Sequence, residues 1–159
     1  YSSIELNNAI GLFSEKYPEV SISVITGTHE EIYDLLRSDD IDIAINDQRR
    51  AFSDEFVNFE LGKARCYAEV CLRNDLSQKE SVTVDDLKNM PCILITSKEQ
   101  QKSEREFYQQ VLGFGGNFIY AQTLDEGQLM VAGNRGFMPV ERIGTFWNIT
   151  PAAKRLPLL

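Results

Sequence analysis

Apolar side chains alternate with serines over residues 20–24, which is the spacing of a strand with one apolar and one polar face. Thr28 and Glu31 then have the spacing of a capping box, and apolar residues at positions 32, 35 and 36 continue as one face of a helix. Residues 41–45 form a short run rich in isoleucine, typical of a buried parallel strand. This pattern predicts a right-handed βαβ unit whose two strands lie side by side and parallel.

The segments on either side extend this pattern. Apolar residues at positions i, i+4, i+7 and i+11 predict an amphipathic helix over residues 4–17. After the βαβ unit, a strand-like run over residues 56–72 is interrupted at Gly62. We place a hinge there, which divides the chain into lobe I, residues 1–61, and lobe II, residues 62–159.

Lobe II continues the alternation of strands and helices. Thr83, with Asp86, is predicted to cap one helix, and Thr123 with Glu126 has the spacing of a capping box at the start of another. A third helix is expected over residues 104–112 and ends at Gly113, with its inward face formed by Phe107, Val111 and Leu112. Strands are predicted at residues 92–96, 117–121 and 137–139. The sequence from Glu141 onward predicts no definite element.

Several of these segments, in this order and spacing, resemble the effector-binding domain of LysR-type transcriptional regulators. They are Phe13-x-x-x-Tyr17-Pro18, Val20, Gly27, Leu35-Leu36, Asp42-Ile-Ala-Ile45, Val131-Ala-Gly-Asn-Arg-Gly-Phe-Met-Pro139 and Arg155-Leu-Pro-Leu158. The resemblance covers nearly the whole chain. It implies an α/β fold of the type II periplasmic-binding-protein-like class, in which two α/β lobes enclose a ligand crevice.

The resemblance also carries expectations about the ends of lobe I and about partners. In the family a strand precedes the first helix, and the chain returns to lobe I after a segment like residues 155–158. We therefore expect lobe I to be incomplete, without its first strand and its C-terminal return. The helix over residues 4–17 and the strand over residues 20–26 correspond to the family's pairing surface, which implies a homodimer or tetramer.

The overall charge disfavours direct contact with nucleic acid. The 159 residues carry a net charge of -8, whereas binding to phosphates requires clustered lysine and arginine. DNA binding is therefore expected only through the family's helix-turn-helix domain, which is absent from this chain. The sequence shows neither a signal peptide nor an apolar run of membrane length, so we expect a cytoplasmic protein with no membrane partner.

The residues that usually carry catalysis or metal binding are sparse. The three cysteines, Cys66, Cys71 and Cys92, have no metal-binding spacing, and buried inert thiols are favoured over the alternative of a redox sensor. His29 is the only histidine, and no nucleophile and base form a recognisable set. We therefore expect no metal, no cofactor and no enzymatic activity.

Ligands of open α/β sheets bind beyond the carboxyl ends of the strands, where helix N-termini converge. Eight residues have this character and are the candidate effector-binding residues: Ser2, Ser3, Thr28, Asn46, Asp47, Thr96, Ser97 and Thr123. The alternative for each hydroxyl is a purely structural helix cap. The resemblance favours Thr96, Asn46 and Asp47, because family members often contact effectors at these positions. Asp47 would repel an anion unless a nearby arginine offset it, so the sign of the effector charge stays open.

These observations predict a ligand-sensing domain of a LysR-type transcriptional regulator. A small polar metabolite would bind between the lobes, shift their relative angle and alter how the oligomer presents its DNA-binding domains. We expect Thr96 and Ser97 to face Asn46 and Thr28 across the crevice. The alternative is an independent solute-binding protein of the same fold, and an unrecognised enzyme ranks third.

Overall fold

The computed structural model describes residues 4–27, 29–46, 53–142 and 151–159. The chain divides into two compact units, Tyr1–Leu61 and Gly62–Leu159. The helices are α1 (Ile4–Lys16), α2 (His29–Arg37), α3 (Val84–Leu87), α4 (Gln101–Gln110) and α5 (Leu124–Ala132), with a short 3-10 helix at Asp75–Gln78. The strands are β1 (Arg65–Cys71), β2 (Cys92–Ile95), β3 (Phe118–Ala121), β4 (Met138–Arg142) and β5 (Ala153–Pro157). Among the described residues, no helix is both long and apolar enough to cross a membrane.

The described part of the first unit contains two helices. α1 and α2 agree with the helices predicted from the apolar spacing. Arg37 at the end of α2 forms ion pairs with Asp34 at 3.1 Å and with Glu55 at 3.0 Å. The rings of Tyr33 and Phe56 lie 5.8 Å apart, which attaches the segment after residue 53 to α2.

The two strands predicted in this unit are not formed, so the predictions of strands at residues 20–26 and 41–45 were wrong. Both segments are described, yet neither is paired in a ladder with any described residue. Their apolar side chains are largely exposed, with Val24 at 66% and Ile43 at 79%. Alternation specifies which face of a strand is apolar, but a strand forms only where a neighbour accepts its backbone hydrogen bonds.

The second unit contains two small sheets. In the first, β1 is the central strand and pairs antiparallel with β4 on one side and β5 on the other. In the second, β2 and β3 run parallel, with Ile95 opposite Ala121. An isolated bridge between Cys92 and Phe137 links β2 to the residue that precedes β4. The predicted strands at residues 92–96 and 117–121 are confirmed, whereas β1 begins only at Arg65.

The core of the second unit lies on both faces of β1. Ala68 and Val70 pack in a cluster that also contains Leu94, Phe137 and Leu156. The opposite face packs against a smaller cluster formed by Ile93, Ala121, Val131, Met138 and Ala153. Because both of its faces are covered, β1 has a nearly continuous run of buried residues rather than an alternating pattern.

The helix expected at residues 104–112 begins earlier, at Gln101. Phe107 and Leu112 pack on the core as predicted, but Val111 does not. Val111 is 65% exposed, and Tyr108 is buried instead. The helix ends at Gln110, and Gly113, with φ 75°, turns the chain so that Phe114 enters the core. Phe114 N donates to Tyr108 O at 3.1 Å, and its ring stacks on that of Tyr108. Phe114, which follows the helix, is therefore buried in the core, whereas Val111 is not.

Candidate functional site

Thr96 and Ser97 follow directly on β2. Thr96 N donates to Ala121 O at 2.9 Å, which extends the pairing of β2 with β3 by one residue. The Thr96 side chain is buried, and its hydroxyl donates to Ser97 O at 3.2 Å. Ser97 is exposed, and its hydroxyl donates to the Glu99 carboxylate. The backbone N–H of Glu99 first, and then this hydroxyl, lower the pKa of Glu99, which keeps its carboxylate ionised.

Thr123 stands at the start of α5, two residues after the end of β3. Its hydroxyl accepts a hydrogen bond from Glu126 N at 3.2 Å, as the prediction of an N-cap requires. The return bond differs from the predicted capping box, because the Glu126 carboxylate accepts from Gln122 N at 2.7 Å and not from Thr123 N. The Thr123 hydroxyl and the Glu126 carboxylate are therefore both hydrogen-bonded to nearby backbone N–H groups.

The first turn of α5 lies very close to the end of β2. A Cβ atom at Gly127 would lie 3.0 Å from Met138 Sδ and 3.3 Å from Ile95 Cγ1. Ile95 is the last residue of β2, so Gly127 permits the helix to pack directly over the strand end that leads into Thr96. Together with the parallel pairing of β2 and β3, this contact places Thr96, Ser97 and Thr123 at one edge of the second unit. We call this group of three residues the polar edge.

The other candidate residues contribute less to the described structure. Asn46 is exposed and ends a segment without strand structure. Ser2, Ser3, Thr28 and Asp47 lie outside the described residues, and so do their predicted capping and binding contacts. The structure thus brings together three of the eight predicted residues.

Two polar features of the described chain were not singled out from the sequence. One is an open groove of about 610 Å³ in the first unit, lined by Leu36, Arg37, Asp39, Ile41, Asp42, Glu55 and Phe56. The other is a buried ion pair between Glu69 and Arg155 in the second unit. The charged residue within the apolar run of β1 was the available signal for the ion pair. No pattern in the sequence predicts the groove, because it is formed by contacts between α2 and a loop that lies further along the chain.

The buried cysteines of the described chain show no feature of a reactive centre. None of the three forms a disulfide, and Cys71 and Cys92 are buried. Burial, and to a lesser extent the neighbouring Cys66, raises the pKa of the Cys92 thiol, which disfavours the reactive thiolate. Among the described residues, no group of three or more His, Cys, Asp or Glu side chains could hold a metal ion.

Comparison with solved structures identifies the fold class of this domain. HinK, a LysR family transcriptional regulator from Pseudomonas aeruginosa, superposes with a TM-score of 0.69 at 19% identity, over 96% of this chain and 53% of HinK. The effector binding domain of BenM, solved with its effector benzoate, superposes with a TM-score of 0.70 at 18% identity, over 97% of this chain and 71% of that domain. These likenesses show the type II periplasmic-binding-protein-like α/β fold and confirm the predicted fold class.

The family follows from the sequence itself. Residues 4–132 match the family model described as the LysR substrate binding domain. The HTH-type transcriptional regulator CysB of Haemophilus influenzae is 25% identical over 118 residues, which are 74% of this chain and 36% of CysB. The chain thus spans about a third of this curated relative. It belongs to the LysR substrate-binding-domain family.

Proposed function

We propose that this chain is the effector-sensing domain of a LysR-type transcriptional regulator and that it binds a small polar metabolite. The observation that carries the proposal is the polar edge of a chain that belongs to this family. Because Thr96 N bonds to Ala121 O, the hydroxyl-bearing ends of two parallel strands meet beside the start of α5. Strand ends next to a helix start are the usual place for a ligand in α/β sheets.

The polar edge offers both kinds of hydrogen-bonding group to a ligand. Ser97 is exposed, and its hydroxyl can accept a hydrogen bond while it donates to Glu99. The start of α5 adds the end of a helix at which backbone N–H groups have no partner within the helix. The carboxylates of Glu99 and Asp125 lie in the same two segments. A ligand at this edge must therefore satisfy hydroxyl and amide groups while also meeting negative charge. The contribution of Asn46, Asp47, Thr28, Ser2 and Ser3 from the first unit stays a prediction.

Ligand binding at this edge would act on transcription indirectly. In this proposal the effector binds one arrangement of the regulator more tightly than another, and so shifts the population of an oligomer that contacts DNA through a separate helix-turn-helix domain. The regulator works in the cytoplasm, where its DNA target lies. An independent solute-binding protein is less supported, because the curated relative CysB is an HTH-type transcriptional regulator.

Self-association through α1 is part of the same proposal. Leu12 is 69% exposed on this helix, and Phe13 is also exposed. Tyr17, the residue directly after the helix, is exposed as well, and its ring centroid lies 4.9 Å from that of Phe13. Exposed aromatic and aliphatic side chains on one helix suit a pairing surface, and a specific dimer buries roughly 1,200 Å² or more. Pairing through residues 20–26 would require these residues to become ordered as a strand in the dimer.

The effector proposal is tested by amide NMR of the chain against a panel of small polar metabolites. The panel includes benzoate, which is the effector of BenM, and benzylamine as its cationic counterpart. We expect at least one compound to shift the amide signals of Thr96, Ser97 and Thr123 in a saturable manner. A compound that instead shifts only signals around Leu36 and Phe56 would place binding in the groove of the first unit. That result would contradict the proposed site.

A further inference from the structure

A buried ion pair joins the central strand β1 to the edge strand β5. Glu69 and Arg155 lie opposite each other in the antiparallel ladder, and Arg155 Nε donates to Glu69 Oε2 at 2.6 Å. The Glu69 side chain is fully buried, and that of Arg155 is 5% exposed. Glu69 Oε1 has no hydrogen-bond partner among the described residues. The free energy lost when two charges leave water offsets much of the free energy gained from their attraction. This pair therefore contributes little net stability.

The apolar residues of β5 do not explain the register that it adopts. In the observed ladder, Leu156 lies opposite Ala68 and Lys154 lies opposite Val70. If β5 slid by two residues, Leu158 would lie opposite Ala68 and Leu156 opposite Val70. A two-residue slide keeps every side chain on its original face, because the side-chain period of a strand is two. It would place Leu156 instead of Lys154 opposite Val70, but it would also take Leu158 away from Cys66, where it now packs on the core cluster. The number of leucines on this face is unchanged, so hydrophobic burial separates the two ladders only weakly.

The ion pair separates the two ladders much more strongly. In the shifted ladder, Pro157 would lie opposite Glu69, and Arg155 would lie opposite Cys71. The Glu69 carboxylate would then stay buried without its cation, which is strongly unfavourable. We propose that the Glu69–Arg155 pair is a register lock, which selects the observed pairing of β5 with β1 against a pairing shifted by two residues that the apolar residues exclude only weakly.

Lys154 is the other side chain that could hold this register. Its ammonium group donates to Ser77 O at 2.7 Å and to Lys79 O at 2.9 Å. Those acceptors are backbone carbonyls reached by a long flexible stem, and such a contact tolerates displacement better than a pair buried directly across a ladder. Lys154 therefore serves as the matched control for the lock.

The lock has a consequence for the geometry of the unit. A two-residue slide would move β5 by about 7 Å along β1, at about 3.4 Å per residue. The backbone of Leu158 now donates to Cys66 O, and Leu159 donates to Val82 O. The ion pair therefore determines where the chain leaves the sheet after Pro157.

The experiment compares the register of the whole chain and its variants by methyl NMR. In the unsubstituted chain, the Ala68 methyl group should show nuclear Overhauser contacts with the Leu156 methyls. In the double variant Glu69→Leu with Arg155→Leu, we expect a second set of signals in which Ala68 contacts Leu158, because the two registers are then both populated. The Lys154→Met variant and the charge-reversed variant, Glu69→Arg with Arg155→Glu, should keep the Leu156 contact.

Two outcomes would overturn the register lock. The first is a folded apolar double variant that keeps the Ala68–Leu156 contact and shows no contact with Leu158. The second is failure of that variant to fold, because a lock selects between two sheets and is not needed to hold either one together. A shift of register in Lys154→Met would transfer the role to Lys154 and would equally reject the ion pair as the lock.

Discussion

The backbone N–H of Thr96 donates to the carbonyl of Ala121 at 2.9 Å, across the ends of two neighbouring parallel strands. These residues are separated by a complete helix in the sequence, yet their bond brings Ser97 and Thr123 to one edge. The candidate effector site of the second unit depends on this relationship. Each residue of this site lies in a cap or turn that forms locally, whereas the pairing of β2 with β3 brings these residues together.

Replacement of Thr96 by Val tests the contribution of its hydroxyl. Valine keeps the shape of the buried side chain and removes the bond to Ser97 O. If the hydroxyl turns to the effector on binding, affinity should fall by about 1 kcal/mol, which is roughly fivefold. Calorimetric titration with a compound found in the NMR panel measures this change. Ser103→Ala, which removes another local hydroxyl bond, is the control and should leave affinity unaltered.

A lower melting temperature of Thr96→Val with unchanged affinity would assign Thr96 a purely structural role. The candidate site would then have to rest on Ser97 and Thr123 alone.

Gly127→Ala should destabilise the second unit despite the better helix propensity of alanine. The added methyl group would meet Met138 Sδ at 3.0 Å and Ile95 Cγ1 at 3.3 Å. Overpacking of this kind costs about 1–3 kcal/mol, against a gain of about 1 kcal/mol in helix propensity. We expect a net loss of about 1 kcal/mol in the free energy of unfolding, measured with urea.

Gly11→Ala is the matched control for Gly127, because it lies in the middle of α1 with no atom within 4 Å of its added Cβ. The same substitution there should stabilise the chain by up to about 1 kcal/mol. Equal effects at both positions would mean that the close approach of α5 to β2 is not tight.

Leu156→Ala should destabilise the chain strongly. Leu156 is fully buried between β1 and the larger core cluster, so its truncation leaves a cavity. Such changes cost about 2–5 kcal/mol. Leu129→Ala removes the same atoms from a side chain that is 73% exposed and should change the free energy of unfolding by less than about 0.5 kcal/mol. Similar losses for the two variants would contradict the position of β5 in the core.

The Asp86 carboxyl should titrate at unusually low pH. Its hydrogen bond with Lys79 and the bonds from Thr83 lower its pKa to about 2. Because the folded pKa is depressed, the stabilisation is fully present above the unfolded value of about 3.9 and is lost as pH falls towards 2. Carbon-detected NMR of the side chain measures this titration directly.

The control for Asp86 uses two lysines that each bond to an aspartate of α3. Lys79→Met should raise the pKa of Asp86, whereas Lys88→Met removes the partner of Asp85 and should leave Asp86 unaltered. An unaltered Asp86 titration in Lys79→Met would show that the capping bonds of Thr83 alone depress its pKa.

Leu12→Glu tests the proposed pairing surface on α1. A charge at this exposed position leaves the fold intact but disfavours burial against a second copy of the chain. Sedimentation should show weaker self-association than for the unsubstituted chain. Leu129→Glu, on the exposed face of α5, is the control. A strict monomer at high micromolar concentration before any substitution would argue against pairing through α1.

The sequence alone determined those elements whose hydrogen-bonding partners lie close together along the chain. The cap at Thr83 with Asp86 and the cap at Thr123 with Glu126 were both predicted, because their donors and acceptors lie within four residues of each other. The strands β2 and β3 were recognisable from short apolar runs, and the family was recognisable from the order of such segments. The three residues of the polar edge could be predicted from these short patterns, because parallel strands end at the same side of a sheet.

Only the tertiary structure decided which chain segments pair. Residues 20–24 alternate as a strand should, yet they have no ladder partner among the described residues, while the less regular β5 pairs with β1 across 86 residues. Side-chain alternation is set by each residue alone, but a ladder needs two segments whose backbone groups and buried side chains complement each other. The partner of Glu69 could therefore not be read from its own strand, because it depends on which residue of β5 the folded sheet places opposite it.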